Sequence, residues 1–293
     1  MKVELRCIAC ILNRGYLQIQ EATDDESLQF KTITSILHFL ASEFKPTSNP
    51  ADLGTKRDKI IKEKTGNPDP YLKKKKISNQ KALEILPIAE KIISLELSPL
   101  SKFRKACLSA IVGNIIEFNL PENPFEFDDL KNLIKEAERD LAIDDILLIY
   151  EEAKKAKTIL YLTDNAGEIA FDTLLVKELK KLGTKVIVAV KNGPILNDAT
   201  LKDAQFVGMD KVASKLITSG SDSVGLFPED CSEDFLEIYN SIDFVIAKGM
   251  GHAETVTDLK LSVPHALLLR TKCCTVANHF NVSTGKNIAK LLK

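Results

Sequence analysis

The sequence predicts an α/β protein, with a helical N-terminal portion followed by a three-layer α/β/α domain that has a parallel-type sheet. Residues 1–150 show apolar side chains at helical spacing, whereas residues 151–293 alternate short apolar runs with helical patterns. A chain of 293 residues with 44% apolar and 28% charged residues can form a large globular core. We therefore expect a helical region at 1–150 and an α/β domain at 151–293.

The predicted helices of the first region rest on a 3.6-residue apolar period. In residues 27–44 the apolar positions with this spacing are Leu28, Ile33, Ile36, Leu37 and Leu40. Residues 79–97 and 101–118 show the same pattern, and Pro99 separates them. Residues 127–150 are rich in Leu and Ile between charged residues, and we expect them to be helical as well.

Short apolar runs predict the strands of the second region. They lie at residues 158–163, 185–190, 215–220, 243–249 and 265–271. These runs are continuously apolar, as strands are when helices cover both faces of a parallel sheet. Helical patterns separate them, so the sheet is expected to be built from strand–helix units.

Charge and composition narrow the class of protein. Forty basic residues against 41 acidic ones give a net charge of −1, which argues against binding a nucleic acid polymer. No apolar run is long enough to span a bilayer, and the first residues lack the apolar core of a signal peptide. Six cysteines in a chain of this length are not a disulfide framework, so we expect a cytoplasmic protein.

Polar, small-residue-rich segments follow each of the five predicted strands. They comprise residues 164–168, 191–198, 219–222, 248–252 and 270–272. Ligands of parallel α/β sheets bind beyond the carboxyl ends of the strands, where these segments meet. Five such segments at one edge predict a site for a charged ligand.

Three side chains in these segments are candidate metal ligands. Asp164, Asn165 and Asp198 offer hard oxygen atoms, which suit Mg²⁺ or Mn²⁺. Each also has a simpler interpretation, because an Asp after a strand often caps the next helix. Asn197 and Asp198 could likewise cap a helix that begins at Ala199.

Other residues of the same segments suit an anion. A helix that begins near Glu168 would direct its first N–H groups at a phosphate, and Ser219 begins a turn that could cradle one. Lys248 and Lys272 supply positive charge. A metal, cationic side chains and amide donors together are what phosphoryl transfer requires. The turn at Ser219 is also a common one in proteins without such a site.

Motifs that are absent exclude several alternatives. The chain has no GxxxxGK[ST] loop and no GxGxxG, so neither a P-loop NTPase nor a dinucleotide site is supported. Asn165 and Ala166 follow Asp164 where a phosphatase with a covalent aspartyl-phosphate would have Asp-x-Asp. Direct attack on phosphorus by a metal-activated water is therefore favoured.

As a joint pattern, these segments resemble the damage-control phosphatases, also classified as domain of unknown function eighty-nine. The residues that carry the resemblance are 164–168, 191–198, 248–254 and 269–272. The Cys-x-x-Cys at Cys7 and Cys10 is typical of the short prokaryotic subgroup of that family. The resemblance implies a helical portion packed on a three-layer α/β/α domain. It also implies hydrolysis of phosphate monoesters of small metabolites, such as sugar phosphates and damaged or surplus nucleotides.

The resemblance also implies cofactors and roles for single residues. The family's metals, Mn²⁺, Ni²⁺ or Co²⁺, with Mg²⁺ as a further candidate, would be held by Asp164, Asn165 and Asp198. The substrate, a small-molecule phosphate ester, would contact the residues Glu168, Lys248, Gly249, His252, Glu254 and Lys272. Ser219 is a further candidate contact, from the turn described above. Asp198 or Glu168 would orient the attacking water. No membrane partner is expected, and the sequence gives neither the substrate nor the oligomeric state.

Two other functions remain open at this stage. The α/β sheet could bind S-adenosylmethionine for carboxyl methyl transfer, although a glycine-rich first loop would then be expected. A non-catalytic protein that senses a phosphorylated ligand would need the same charges as an enzyme. Cys7 and Cys10 could form a metal or redox pair, or could simply pack at the start of a helix.

Overall fold

The computed structural model describes residues 1–116 and 127–293, with side chains described outside 114–128. The helices of the N-terminal region are α1 (Cys7–Ala22), α2 (Glu26–Glu43), α3 (Pro50–Thr65), α4 (Leu72–Ser94), α5 (Pro99–Ile116) and α6 (Phe127–Arg139). The Asp25 carboxylate caps α2 by accepting a 3.1 Å hydrogen bond from the Leu28 N–H. Asn49 caps α3, and Pro50 follows at its first position, where a missing N–H costs nothing.

One twisted sheet forms the centre of the molecule. Its strands are β1 (Leu141–Asp144), β2 (Thr158–Leu162), β3 (Lys185–Val190), β4 (Lys215–Thr218), β5 (Phe244–Lys248), β6 (His265–Arg270) and β7 (Asn287–Leu292). Their order is β1-β7-β6-β5-β2-β3-β4. Pairing is parallel from β6 through β5, β2 and β3 to β4, whereas β7 is antiparallel to β6 and parallel to β1. The mostly parallel sheet predicted from sequence is confirmed.

The remaining helices lie between and beside these strands. They are α7 (Ile146–Lys155), α8 (Glu168–Lys181), α9 (Leu201–Phe206), α10 (Met209–Val212), α11 (Glu233–Ser241), α12 (Gly249–Val256) and α13 (Cys274–His279). In the chain as described, on either side of residues 117–126, no helix is long and apolar enough to cross a membrane.

Alternate residues of the central strand β2 pack into two different cores. Ile159 and Tyr161 face a core completed by α4, α5, α6, α7 and α8. Leu160 and Leu162 face the opposite core, to which α11, α12 and α13 contribute. This alternation is the two-residue period of a strand buried on both faces. The result is three layers, and helices of the N-terminal region supply part of one outer layer.

Two strands at one side of the sheet differ from the expectation. Residues 127–150 were expected to be helical throughout, but β1 interrupts them at Leu141–Asp144. The second, β7, lies in a segment for which we predicted no strand. β1 has only four residues, too few to show a period, and β7 pairs with β1 on one side and with β6 on the other. The sheet therefore takes one strand from before residue 151.

Candidate active site

The loops after β2 and β3 are joined at the carboxyl edge of the sheet. A short antiparallel bridge pairs Asn165 with Asp198. The Ala199 N–H donates a 2.8 Å hydrogen bond to the Asp164 carbonyl oxygen. Backbone hydrogen bonds thus place the three predicted metal ligands beside one another, although 33 positions of sequence separate Asn165 from Asp198.

These ligands line a cleft of about 80 Å³. The charged and amide side chains on its wall include Arg14, Asp164, Asn165, Asp198, Arg270 and Lys272. Gly249 and Gly251, from the start of α12, form part of the same wall. Loops after β2, β3, β5 and β6 therefore converge on one small polar cleft, as the position of the strand ends predicted.

Asn165 is held between two carboxylates. Its Nδ2 atom donates to Asp164 Oδ2 at 2.8 Å and to Glu168 Oε2 at 2.9 Å. Both amide hydrogens are thereby used by acceptors of this loop and of the first turn of α8. The orientation leaves Oδ1 as the atom that Asn165 can offer to a cation.

Burial and neighbouring carboxylates raise the pKa of two side chains in the cleft. Burial raises the pKa of Asp164 well above its usual value, and the Glu168 and Asp198 carboxylates add to this effect. Burial raises the pKa of Asp198 to about 6, an effect that the nearby Lys191 cation opposes. The cleft therefore concentrates negative charge that a cation placed between these oxygens would stabilise.

The donor set fits a hard divalent cation. Two carboxylates and one amide oxygen are the ligands that Mg²⁺ and Mn²⁺ accept, with water or substrate oxygens completing the shell. Outside residues 114–128, no group of three or more His, Cys, Asp or Glu side chains is arranged to hold a metal ion. The candidate centre has only two such residues, Asp164 and Asp198, and takes its third donor from Asn165.

Gly249 makes room for Asp164. Its φ of +79° lies in the left-handed region, and a Cβ atom at this position would overlap the Asp164 carboxylate. The predicted site residue Gly249 thus lies on the cleft wall, where its missing side chain lets β5 and β2 bring their following loops together.

Lys248 lies beneath the cleft instead of on its wall. The side chain is fully buried, and Nζ donates to Glu168 Oε1 and Asp172 Oδ1, both at 2.6 Å. Its third hydrogen bond, of 3.0 Å, goes to the Ala110 carbonyl oxygen on α5. All three ammonium donors are therefore used within the protein. Direct contact of Lys248 with a phosphate does not fit this geometry, and its role is to neutralise Glu168 and Asp172.

Glu168 is likewise buried, with 1% of its surface exposed. It connects Lys248, which contacts Oε1, with Asn165, which contacts Oε2. Glu168 therefore acts on the cleft through its hydrogen bond with Asn165. The amide donors expected at the start of α8 are also partly occupied, because the Gly167 N–H donates to Asn79 Oδ1 at 2.7 Å.

Three further predicted substrate contacts lie away from the cleft wall. The buried Ser219 hydroxyl donates to the Ser221 carbonyl oxygen at 3.0 Å, which is a local turn contact. His252 lies one helical turn after Lys248, and its Nδ1 is 2.7 Å from the Lys248 carbonyl oxygen. Burial lowers the pKa of His252 to about 3, so this ring is neutral at physiological pH. Glu254 lines a second cavity next to the cleft.

Sequence reasoning missed Arg14 and Lys191. Arg14 lies on α1 and reaches the cleft from the N-terminal region. Lys191 Nζ donates to the Gly225 carbonyl oxygen at 2.6 Å and lies 3.8 Å from Asp198 Oδ2. Lys191 follows β3 directly, so its position was a usable signal. For Arg14 the sequence offered no such signal, since 150 positions separate it from the first strand-end segment, at Asp164.

The Cys-x-x-Cys segment lies at the second cavity. Cys7 is buried, with Sγ 3.1 Å from Thr275 Oγ1, whereas Cys10 is exposed. Cys273 and Cys274 line the same cavity, and all six cysteines of the chain are free thiols. The functional role proposed for Cys7 and Cys10 stays a prediction.

Comparison with known proteins identifies the family. The sequence model of the family described as damage-control phosphatase ARMT1-like domain matches residues 3–288. The chain belongs to this family. A damage-control phosphatase of Archaeoglobus fulgidus is 33% identical over 294 residues, covering all of both chains. One from Pyrococcus horikoshii is 33% identical over 287 residues, covering 97% of this chain and 96% of the relative.

A solved structure supports the same assignment. The crystal structure of a DUF89 family protein from Pyrococcus horikoshii superimposes with a TM-score of 0.90, at 32% identity and with all of both chains covered. The family and the fold predicted from sequence are confirmed. The names of the relatives support a phosphatase.

Proposed function

We propose that this damage-control phosphatase family member is a metal-dependent hydrolase of small-metabolite phosphate monoesters, such as sugar phosphates and damaged or surplus nucleotides. Asp164, Asn165 and Asp198 would hold Mn²⁺, Ni²⁺, Co²⁺ or Mg²⁺. The observation that carries the proposal is their convergence in one cleft, where burial and neighbouring carboxylates raise the pKa of Asp164. A bound cation would withdraw charge from a phosphate oxygen and lower the pKa of a coordinated water.

Positive side chains on the cleft wall would bind the phosphate. Lys272 is exposed there, and Arg14 and Arg270 line the same wall. Guanidinium and ammonium groups make charge-assisted hydrogen bonds to phosphate oxygens. Such bonds strengthen as charge develops in the transition state, so Lys272 would contribute to rate as well as binding.

The acidic residues divide into two roles. Asp198 lies on the cleft wall and would accept a hydrogen bond from the attacking water, which fixes the water's direction. Glu168 would act as a positioning residue through its 2.9 Å hydrogen bond to Asn165. Lys248 would in turn hold the Glu168 side chain in place through their 2.6 Å ion pair.

Metal-dependent phosphate release tests the proposal. Chelated protein would be assayed with and without each of the four metals on p-nitrophenyl phosphate and on a panel of sugar phosphates and nucleotides. We expect turnover that returns with metal and is lost in Asp164→Ala. Asp210→Ala removes an exposed carboxylate from α10 and serves as the matched control, which should retain activity.

Two results would contradict the proposal. Equal turnover with and without metal would show that the reaction does not need the cation. No turnover with any metal, together with consumption of S-adenosylmethionine, would favour the methyltransferase, whereas binding without turnover would favour the sensor.

A further inference from the structure

A second cavity adjoins the cleft. It encloses about 320 Å³ and shares the wall residues Arg14, Leu196, Val224, Met250 and Gly251 with the cleft. We call it the arginine cavity, defined by Arg14, Arg57 and Glu254. Because the two spaces share a wall, a phosphate ester seated in the cleft would extend its leaving group into the arginine cavity.

Arg57, on α3, is a buried cation on this wall. Only 2% of its surface is exposed, and its Nη1 makes a long 3.4 Å hydrogen bond to the Ile11 carbonyl oxygen. Among the residues with described side chains, its Nε–H finds no hydrogen-bond partner. Across residues 1–113 and 129–293, whose side chains the structure describes, no carboxylate lies within ion-pair distance of it. A buried guanidinium in this state is unusual, since buried charges are ordinarily paired.

Arg14 adds a second guanidinium to the same space. It is exposed on α1 and lines both the cleft and the arginine cavity. Its charge is close enough to Arg57 to lower the pKa of Arg57, which burial brings to about 10. Arg57 therefore stays charged at neutral pH, and two like charges face one cavity.

The rest of the cavity does little to neutralise these charges. Burial raises the pKa of Glu254 to about 7, so this carboxyl is only partly ionised at neutral pH. Arg6 also lines the cavity, but Glu4 pairs with it at 3.0 Å. Burial also raises the pKa of the Cys273 thiol to about 11 and keeps it neutral. The cavity is thus positive, with a largely neutral wall.

We propose that the arginine cavity binds the leaving group of the substrate, and that this leaving group carries a second anion, a carboxylate or a further phosphate, held by Arg57 and Arg14. The inference rests on the proposed phosphatase function, which places the scissile phosphate in the cleft. A guanidinium matches both kinds of anion with two parallel hydrogen bonds. A substrate with a neutral leaving group would leave Arg57 unpaired, and the site would discriminate against it.

Matched substrate pairs test this inference. Glycerate 3-phosphate and glycerol 3-phosphate differ only in a carboxylate against a hydroxymethyl group. Fructose 1,6-bisphosphate and fructose 6-phosphate form the corresponding pair for a second phosphate. With the metal-loaded enzyme, we expect kcat/KM to be at least about tenfold higher for the anionic member of one or both pairs. The pair whose two members differ in kcat/KM shows whether the second anion is a carboxylate or a phosphate.

Variants assign the preference to the cavity. In Arg57→Met, which keeps the apolar stem packed near Gly15, the kcat/KM ratio within a responding pair should fall towards one. Arg14→Gln changes an exposed position and should lower the same kcat/KM ratio, so it replaces Arg57→Met if that variant fails to fold. Arg139→Gln removes an exposed guanidinium from α6 and should keep the wild-type ratio.

The outcomes separate the two proposals. Turnover with equal kcat/KM within both pairs would overturn the inference and leave the phosphatase intact. Absence of turnover on every substrate would overturn the proposed function, and the inference would then be judged by calorimetric Kd values for the same pairs. Equal Kd values within both pairs, or a ratio that Arg57→Met leaves unchanged, would overturn it.

Discussion

The cleft and the arginine cavity share a wall but differ in origin and in charge. The cleft is small and acidic at its centre, and loops that follow four strands of the sheet build most of it. The arginine cavity is four times larger and positive, and helices α1 and α3 supply its arginines. On the proposed function, the sheet edge would provide the chemistry, whereas the N-terminal helices would select what is attached to the phosphate.

Each region contains buried groups that a ligand of opposite charge would stabilise. In the cleft, burial raises the pKa of Asp164 and Asp198, and in the arginine cavity the buried Arg57 makes no ion pair with a carboxylate of the described side chains. A divalent metal and a substrate with two anionic groups would together neutralise both. This complementarity makes the two regions separable by mutation, because a change in one leaves the charge requirement of the other in place.

The largest expected effect comes from Asp198→Ala. Loss of this carboxylate removes both a metal ligand and the proposed acceptor for the attacking water. We expect turnover to fall at least about 100- to 1000-fold, as when a principal electrostatic group of an active site is removed. Phosphate release at saturating Mn²⁺ measures this.

The fold of the same variant should persist. Removing one of several crowded carboxylates relieves repulsion, so the free energy of unfolding of metal-free protein in urea should not decrease. Near-wild-type turnover in a folded Asp198→Ala protein would remove Asp198 from the site.

A second prediction contrasts the two lysines to which the sequence assigned one role. Lys248→Met leaves Glu168 and Asp172 buried without their cation, which should cost about 3–5 kcal/mol of unfolding free energy. Lys272→Met, at an exposed position on the cleft wall, should change stability by about 0.5 kcal/mol or less while lowering kcat/KM. Urea unfolding in the presence of chelator measures the first quantity. Equal stabilities of the two variants would show that the buried network is not as described.

A third prediction uses two glycines with similar backbone geometry. Gly249 and Gly183 have φ values of +79° and +89°, so Ala at either position should cost about 1–2 kcal/mol of strain. A Cβ at Gly183 meets nothing within 4 Å, whereas at Gly249 it overlaps the Asp164 carboxylate. Calorimetric titration with Mn²⁺ should therefore show weaker binding in Gly249→Ala only. The same Kd in both variants would mean that Asp164 is not a ligand.

The cleft was predictable because its chemistry is local in sequence. Asp164, Asn165 and Asp198 follow predicted strands, and parallel strands place such residues at one edge without further information. Lys248 has the same position in the pattern, but its side chain turns towards α5 and α8. That direction depends on three-dimensional packing, which strand periodicity does not encode.

The arginine cavity was not predictable for a related reason. Arg14 and Arg57 lie on helices whose period shows which face is buried but not which loop that face meets. Strand β1 escaped prediction because it has only four residues and joins the sheet through β7, and β7 because its antiparallel pairing with β6 lies outside the strand–helix alternation. The arginine cavity and these strands both depend on contacts between segments that are distant in sequence.

The smallest expected effect concerns Glu254, the carboxyl of the arginine cavity. Burial raises its pKa from 4.5 to about 7 in the folded protein, so folding favours its protonated form. The stability that this group contributes is present below about pH 4.5 and is lost as the pH rises through 7. Glu254→Gln should therefore unfold at the same urea concentration as wild type near pH 4.5, and at a higher one near pH 8.

The control for this prediction is Glu237→Gln, an exposed position on α11, which should follow the wild-type dependence on pH. A constant difference between Glu254→Gln and wild type from pH 5 to 8 would show that Glu254 is already ionised in the folded protein. An ionised Glu254 would offer Arg14 and Arg57 a counter-ion inside the cavity. The preference for a second anion would then weaken, so this measurement also bears on the contrast between the two regions.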